Sequence, residues 1–112
     1  MDLSDTMNGI TNSINNGEFS SLQGYSEVLM MSTDMAIKEN ENYNLSPKCS
    51  EVNEEWIAGL QDYNSGAKHL RVAAIDAQNG IVNKEEFSMA AELCGSGTEH
   101  MENAGKLLDA IS

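Results

Sequence analysis

Few residues in this chain are capable of chemistry, and their spacing argues against an assembled catalytic site. The densest run of nucleophilic, acidic and imidazole side chains is Cys-Gly-Ser-Gly-Thr-Glu-His at positions 94–100. These side chains follow one another along one predicted helix, so they point to different faces. The pairs Glu54-Glu55 and Glu85-Glu86 are predicted to be solvated charge at helix ends or on polar faces, not a catalytic acid and base. We therefore predict a protein that is not an enzyme.

Residues at the spacing of metal ligands are equally few. The two histidines are His69 and His100, and neither lies three or four residues from a second histidine. The Glu-x-x-His pairs of di-iron helical bundles are absent. A set of soft copper ligands would consist of Met30, Met31, Met35, Met101 and His100. Methionine at helical spacing is more typical of core packing, so we predict no metal and no cofactor.

The charge balance excludes two classes of partner. The 112 residues include 18 acidic and 6 basic side chains, which gives a formal net charge of −12. The basic residues are scattered singly, so no basic stripe is available to bind a nucleic acid or an anionic membrane surface. No run approaches the roughly 20 apolar residues of a membrane span. The length fits a single domain over residues 1–112.

The elements that carry these residues are predicted to be helices. A single proline and recurring apolar spacings of three and four are typical of an all-α chain. We predict an antiparallel helical bundle of three long or four helices, arranged as two helical hairpins, in which residues 1–17 are loosely ordered. The predicted helices span residues 3–15, 18–38, 50–78 and 83–111. Pro47 suits the start of a helix after the long connection, and Asn83 is predicted to cap the fourth helix.

Small residues predict a close contact between the third and fourth helices. Gly59 and Gly66 on the third helix, and Gly97 on the fourth, keep the facing surfaces small. Two helices that meet at such residues approach nearer than the usual ~8–10 Å. Leucine at position 97 is therefore expected to overpack the contact. The larger aromatic side chains are expected to fill the wider ends of the bundle.

The two cysteines, Cys49 and Cys94, leave two alternatives open. In a straight hairpin that turns near residue 81, they lie about 48 Å and about 20 Å from the turn, at a rise of ~1.5 Å per residue. A disulfide needs Cα atoms within about 7 Å. A Cys49–Cys94 bridge therefore requires a fourth helix kinked near residues 94–97, or a third helix that begins well after residue 50. Otherwise both residues are thiols.

A packing pattern in the chain resembles a group of exported proteins. The pattern is Pro47-x-Cys49-x-x-Val52-x-x-x-Trp56-x-x-Gly59-Leu60-x-x-Tyr63-x-x-Gly66-Ala67-x-x-Leu70, followed by Asn79-Gly80 and Phe87-x-x-Ala90. It is similar to poorly characterised helical-bundle proteins exported by archaea and bacteria, often as lipoproteins, over residues 17–111. The resemblance implies an extracytoplasmic or secreted protein with a signal or anchor segment before Met1, and it transfers no catalytic residue. A cytoplasmic location is the alternative.

Two functions follow from these observations. The first is a non-enzymatic exported bundle that presents an acidic surface or an apolar groove to a protein partner or an envelope component. The second is a sensor-type bundle that binds a small ligand or a cation near Tyr25, Trp56, Tyr63 and Met101. The first predicts a filled interior with an exposed apolar patch, and the second predicts a cavity with convergent polar groups. Either function is compatible with a monomer or with a homodimer that covers an open apolar seam.

Overall fold

The computed structural model describes residues 3–41 and 49–111, and these residues form four helices. The helices are α1, Leu3–Asn16; α2, Phe19–Glu41; α3, Ser50–Gln78; and α4, Lys84–Ile111. The predicted all-α bundle is confirmed, and the largest difference at a helix end is three residues, at the C-terminus of α2. The helix start predicted at Pro47 lies outside the described residues.

Both described turns end a helix in the same way, with a glycine in the left-handed region. Gly17 has a φ of +67° and Gly80 a φ of +81°. After α3, the Gly80 N–H donates to the Ala77 carbonyl (3.0 Å) and the Ile81 N–H donates to the Asp76 carbonyl (2.9 Å). This is the Schellman arrangement, in which glycine avoids the steric cost of a Cβ. Each turn therefore stops its helix sharply and sends the next helix back along it.

Asn83 caps α4 and also ties it to α3. Its Oδ1 accepts a hydrogen bond from the Glu86 N–H (3.3 Å), and its Nδ2 donates to Asp76 Oδ2 (3.0 Å). The first bond satisfies one of the unpaired donors at the helix N-terminus, as the sequence predicts. The second bond fixes the start of α4 against the last turn of α3.

Each helix packs mainly against the next helix in the chain: α1 against α2, α2 against α3, and α3 against α4. The described molecule is elongated, with principal extents of 50 × 23 × 21 Å. Its core is built from leucines and alanines with one isoleucine and one tyrosine: Ile10, Leu22, Leu29, Leu60, Tyr63, Ala67, Leu70, Ala73, Ala74, Ala90 and Ala104. Within residues 3–41 and 49–111, no helix combines the length and apolar character needed to cross a bilayer.

A buried polar side chain fixes the contact between α2 and α3. Asn64, only 7% exposed, directs its Nδ2 at the Met30 carbonyl (3.0 Å), Thr33 Oγ1 (2.9 Å) and Asp34 Oδ1 (3.1 Å). Thr33 itself donates to the carbonyl one turn earlier, at Leu29 (2.8 Å). Because a buried amide without partners is costly, these bonds favour one axial alignment of α2 against α3.

The first helix is half as long as the last. α1 contains 14 residues and α4 contains 28, which correspond to lengths of about 21 Å and about 42 Å. α1 is nevertheless packed, since Thr6 and Ile10 are buried and the Tyr25 ring lies against Gly9. Among the described residues, one half of the bundle therefore has four helices, and the other half has three.

Candidate functional site

The contact between α3 and α4 is close enough to exclude side chains at its centre. A Cβ added to Gly97 would lie 3.1 Å from the Gly59 carbonyl oxygen, and one added to Gly66 would lie 3.3 Å from the Ala90 carbonyl oxygen. These distances are shorter than ordinary carbon–oxygen contacts, so the backbones meet through the glycines. The close contact predicted from the small residues is present.

Two histidine–carboxylate pairs join α3 to α4, one at each end of this contact along the helix axes. His69 Nδ1 lies 2.5 Å from Glu86 Oε2, and His100 Nδ1 lies 2.6 Å from Glu55 Oε2. In one pair α3 supplies the histidine, and in the other α4 does. The members on each helix are 14 residues apart, or about four turns, so both pairs lie on one side of the hairpin.

These pairs correct the prediction made for Glu55 and Glu86. Both carboxylates were expected to be solvated charge, and each is instead bonded to a histidine while remaining partly exposed. The structure brings Glu55 opposite His100 and His69 opposite Glu86. No motif in the sequence marks either pairing, because each depends on the axial alignment of α3 and α4.

One of these pairs belongs to a larger polar cluster whose residue types resemble those of a hydrolase. The Ser96 hydroxyl donates to Asp62 Oδ2 (2.6 Å), and the same oxygen lies 3.6 Å from His100 Nε2. The Ser96 proton is directed at a carboxylate, which differs from the serine–histidine arrangement of the Ser-His-Asp hydrolases. Glu55 raises the pKa of His100 by accepting its hydrogen bond, which favours the imidazolium over a neutral base. The cluster joins α3 to α4.

Metal ligation is not supported either. Among the described residues, no group of three or more histidine, cysteine, aspartate or glutamate side chains is arranged to hold a metal ion. The cysteines are both free thiols, and Cys94 lies beside Gly66 on the opposite helix. Cys49 precedes Gly66 by 17 positions, which is about 25 Å along α3 and well beyond the reach of a disulfide. Burial raises the pKa of the Cys94 thiol.

The structure places the four residues that were predicted to line a ligand pocket in different surroundings. Tyr25 covers Gly9 beneath α1, and Met101 lies against Gly59 on the α3–α4 contact. Tyr63 is buried, and its hydroxyl pairs with Thr98 Oγ1 at 2.7 Å. Trp56 lies at the surface.

An apolar cleft instead lies between α1 and α4. It has a volume of about 130 Å³. Its lining is Met7, Ile10, Ile14, Leu70, Phe87, Ala90, Ala91 and Cys94. We call this the α1–α4 cleft. It contains none of the four residues predicted for a pocket, and its apolar walls offer no charged group to orient a polar ligand or a cation.

Beyond the N-terminus of α1, residues in core positions reach solvent. Trp56 precedes Leu60 by four residues and Tyr63 by seven, so it belongs to the buried stripe of α3. It is nevertheless 40% exposed, whereas Leu60 is 1% exposed. On α4, Leu108 follows buried Ala104 by four residues and is 51% exposed. Within residues 3–41 and 49–111, α1 does not extend over this half of the bundle.

We call this uncovered surface the open slot. By helical spacing, it includes Trp56 from α3 and the α4 residues that continue the face lining the α1–α4 cleft, which are Thr98, Met101, Gly105 and Leu108. Gly105 is exposed, and a Cβ added there would meet nothing within 4 Å. The slot is therefore a surface on which an additional apolar element could pack.

Comparison with protein-family models, with curated proteins and with solved structures found no match for the chain.

Proposed function

We propose that the chain is a non-enzymatic interaction protein that docks a protein partner on the apolar surface of its bundle. The observation that carries this proposal is the exposure of Trp56 and Leu108, which occupy core positions of α3 and α4 but reach solvent. Apolar side chains in helical core positions are normally covered by another element. A partner that covered them would bury apolar surface without any change in the fold.

The packing of the interior supports interaction over small-molecule sensing. In the described part of the chain, every buried side-chain nitrogen and oxygen has a hydrogen-bond partner. Asn64, the largest of these buried polar side chains, is directed at α2 and not at a cavity. A site for a polar ligand or a cation would need convergent polar groups.

The small-ligand alternative has one observation in its favour, the α1–α4 cleft. Its volume of about 130 Å³ is comparable to that of an engineered apolar cavity that binds benzene. The second candidate function is therefore the binding of a small apolar molecule, not a cation. Native mass spectrometry of the purified chain tests it directly. An added mass that is retained under gentle conditions and lost on denaturation would favour the second function over the first.

The proposal also places the protein outside the cytoplasm, in the cell envelope or in the medium. Its support is the resemblance to exported helical-bundle proteins over residues 17–111. Fractionation of the cells that produce the chain, followed by detection with a specific antibody, checks this part. Recovery in the cytoplasmic fraction alone would contradict the location while leaving the docking proposal intact.

Photo-crosslinking in those cells tests the docking proposal. We would place a photoreactive amino acid at Leu108 in the open slot and, in a matched control, at Met31. Met31 is 65% exposed and lies on α2 two residues from both Leu29 and Thr33, which are buried, so it points to the opposite side of that helix. A discrete protein adduct at position 108 and none at position 31 is expected. Equal labelling at both positions, or no protein adduct at position 108, would overturn the proposal.

A further inference from the structure

The open slot has the length of a helix of about four turns. α1 covers about 21 Å of a bundle whose longest helices measure about 42 Å, since it has 14 residues against 29 in α3 and 28 in α4. The uncovered length is about 21 Å, which corresponds to a helix of about 14 residues, or four turns. An element of this size would complete the four-helix arrangement along the whole molecule.

The floor of the slot suits the apolar face of a helix. Trp56, Met101 and Leu108 supply large apolar side chains, and Gly105 leaves open space between them. A glycine at such a position lets the backbone of a second helix approach closely. The expected occupant therefore carries apolar residues at spacings of three and four.

The charge at this end of the bundle indicates the charge of the occupant's polar residues. At this end of the bundle, residues 34–41 of α2, residues 50–58 of α3 and residues 98–111 of α4 each contain three acidic side chains. The same segments contain only two lysines, Lys38 and Lys106, together with His100. Half of the acidic residues of the chain therefore lie in the segments at this end of the bundle. A basic segment would be attracted to it, and a second copy would bring an equally acidic surface against it.

We propose that the open slot binds a basic amphipathic helix of about four turns, supplied by another protein. The proposal rests on the proposed function, because it names the kind of partner that the interaction protein takes. Apolar residues of that helix cover Trp56 and Leu108, and its lysine or arginine residues are attracted to the acid-rich end of the bundle, in the manner of other helix-in-groove complexes. The bound helix continues the line of α1 and gives the second half of the bundle its fourth helix.

Trp56 provides a direct measurement, because it is the only tryptophan in the chain. We would titrate the purified full chain with three synthetic helical peptides of about 14 residues, each without tryptophan. The first peptide has a leucine stripe flanked by lysines, the second has glutamates in place of the lysines, and the third has the composition of the first in scrambled order. The emission of Trp56 is recorded. Covering the indole is expected to shift its emission to shorter wavelength with the first peptide only.

Two variants with equal charge changes locate the binding site. Leu108→Glu places a carboxylate on the slot floor and is expected to weaken binding of the lysine peptide by about tenfold or more, since a buried unpaired charge is costly. Met31→Glu adds the same charge on the opposite side of α2 and is expected to bind as the unmodified chain does. Circular dichroism confirms that both variants are folded. Equal weakening in the two variants, or equal binding in both and in the unmodified chain, would overturn the proposed site.

The remaining outcomes separate this proposal from the function on which it rests. If no peptide shifts the Trp56 emission while position 108 still crosslinks to a protein, the basic-helix partner is wrong and the interaction function stands. Preference for the glutamate or the scrambled peptide would lead to the same conclusion. If Trp56 emission shifts with protein concentration alone and the mass doubles, a second copy occupies the slot and the proposal is overturned. If position 108 crosslinks to no protein and no peptide binds, both proposals fail.

Discussion

The axial alignment of α2 against α3 depends on Asn64, so replacing this residue should destabilise the folded state. Asn64→Ala would remove the bonds to the Met30 carbonyl, Thr33 and Asp34. The lost hydrogen bonds and the unpaired buried acceptors should reduce the free energy of unfolding by about 1–3 kcal/mol. Urea denaturation followed by circular dichroism measures this change. Ser65→Ala, at the exposed neighbouring position, serves as the control and should change stability by less than about 0.5 kcal/mol. Equal effects in the two variants would contradict the role assigned to Asn64.

His100 should make the stability of the α3–α4 hairpin depend on pH. The hydrogen bond to Glu55 is the main cause that raises the pKa of His100, with attraction from Asp62 and Glu99, and desolvation opposes it. The folded state therefore binds the proton more tightly than the unfolded state. This contribution is complete below the unfolded pKa of about 6.5 and is lost as pH rises through the raised folded pKa.

The measurement is an NMR titration of the His100 ring, combined with urea denaturation at about pH 6 and about pH 9. The contribution of His100 should make the unmodified chain less stable at the higher pH. Glu55→Gln should lower the pKa of His100 and reduce the pH dependence, and Glu92→Gln, on an exposed part of α4, should leave both unchanged. A His100 pKa that does not fall in Glu55→Gln would show that the pair does not form in solution.

The contact of Glu55 with His100 shows why the sequence does not predict every side-chain partner. The sequence indicates which positions of a helix face the core, because that depends only on spacing along one helix. It does not state which residue of another helix lies opposite, because that depends on axial alignment. Glu55 therefore seemed to be solvated charge, although the alignment of α3 and α4 places it against His100.

The helices themselves could be predicted almost completely. Apolar spacings of three and four, together with the Asn-Gly stops after α1 and α3, define the helix ends to within a few residues. The consequence of the short α1 could not be predicted. Trp56 belongs to the apolar stripe of α3, so the pattern alone assigns it to the interior, and only the structure shows that it is 40% exposed.

Two glycines of α4 offer a sharp test of how the helices meet. Gly97 faces the Gly59 carbonyl, whereas a Cβ added to Gly95 would meet nothing within 4 Å. Gly97→Leu should overpack the contact and reduce the free energy of unfolding by about 1–3 kcal/mol. Gly95→Ala should increase it by about 0.5–1 kcal/mol, because alanine loses less backbone entropy in a helix. Urea denaturation of both variants checks the prediction, and a stabilising Gly97→Leu would mean that α3 and α4 are farther apart than the structure indicates.

The net charge of the whole molecule predicts how its melting temperature depends on salt, independent of any partner. With 18 acidic and 6 basic side chains, the folded chain concentrates negative charge on an elongated surface. The ion pair of Arg71 with Glu27, which lowers the pKa of that carboxyl, offsets little of this repulsion. Salt should therefore raise the melting temperature, mainly as the screening length falls from about 30 Å at 0.01 M to about 10 Å at 0.1 M.

Thermal unfolding across that range of sodium chloride measures the effect, and potassium chloride at equal ionic strength separates screening from specific ion binding. Glu92→Lys, on an exposed part of α4, changes the net charge by two units and should reduce the dependence on salt. A melting temperature that falls with salt would mean that attractive pairs dominate the surface. In that case the acidic end of the bundle would already be neutralised within the molecule, and the attraction of a basic helix to the open slot would lose its electrostatic basis.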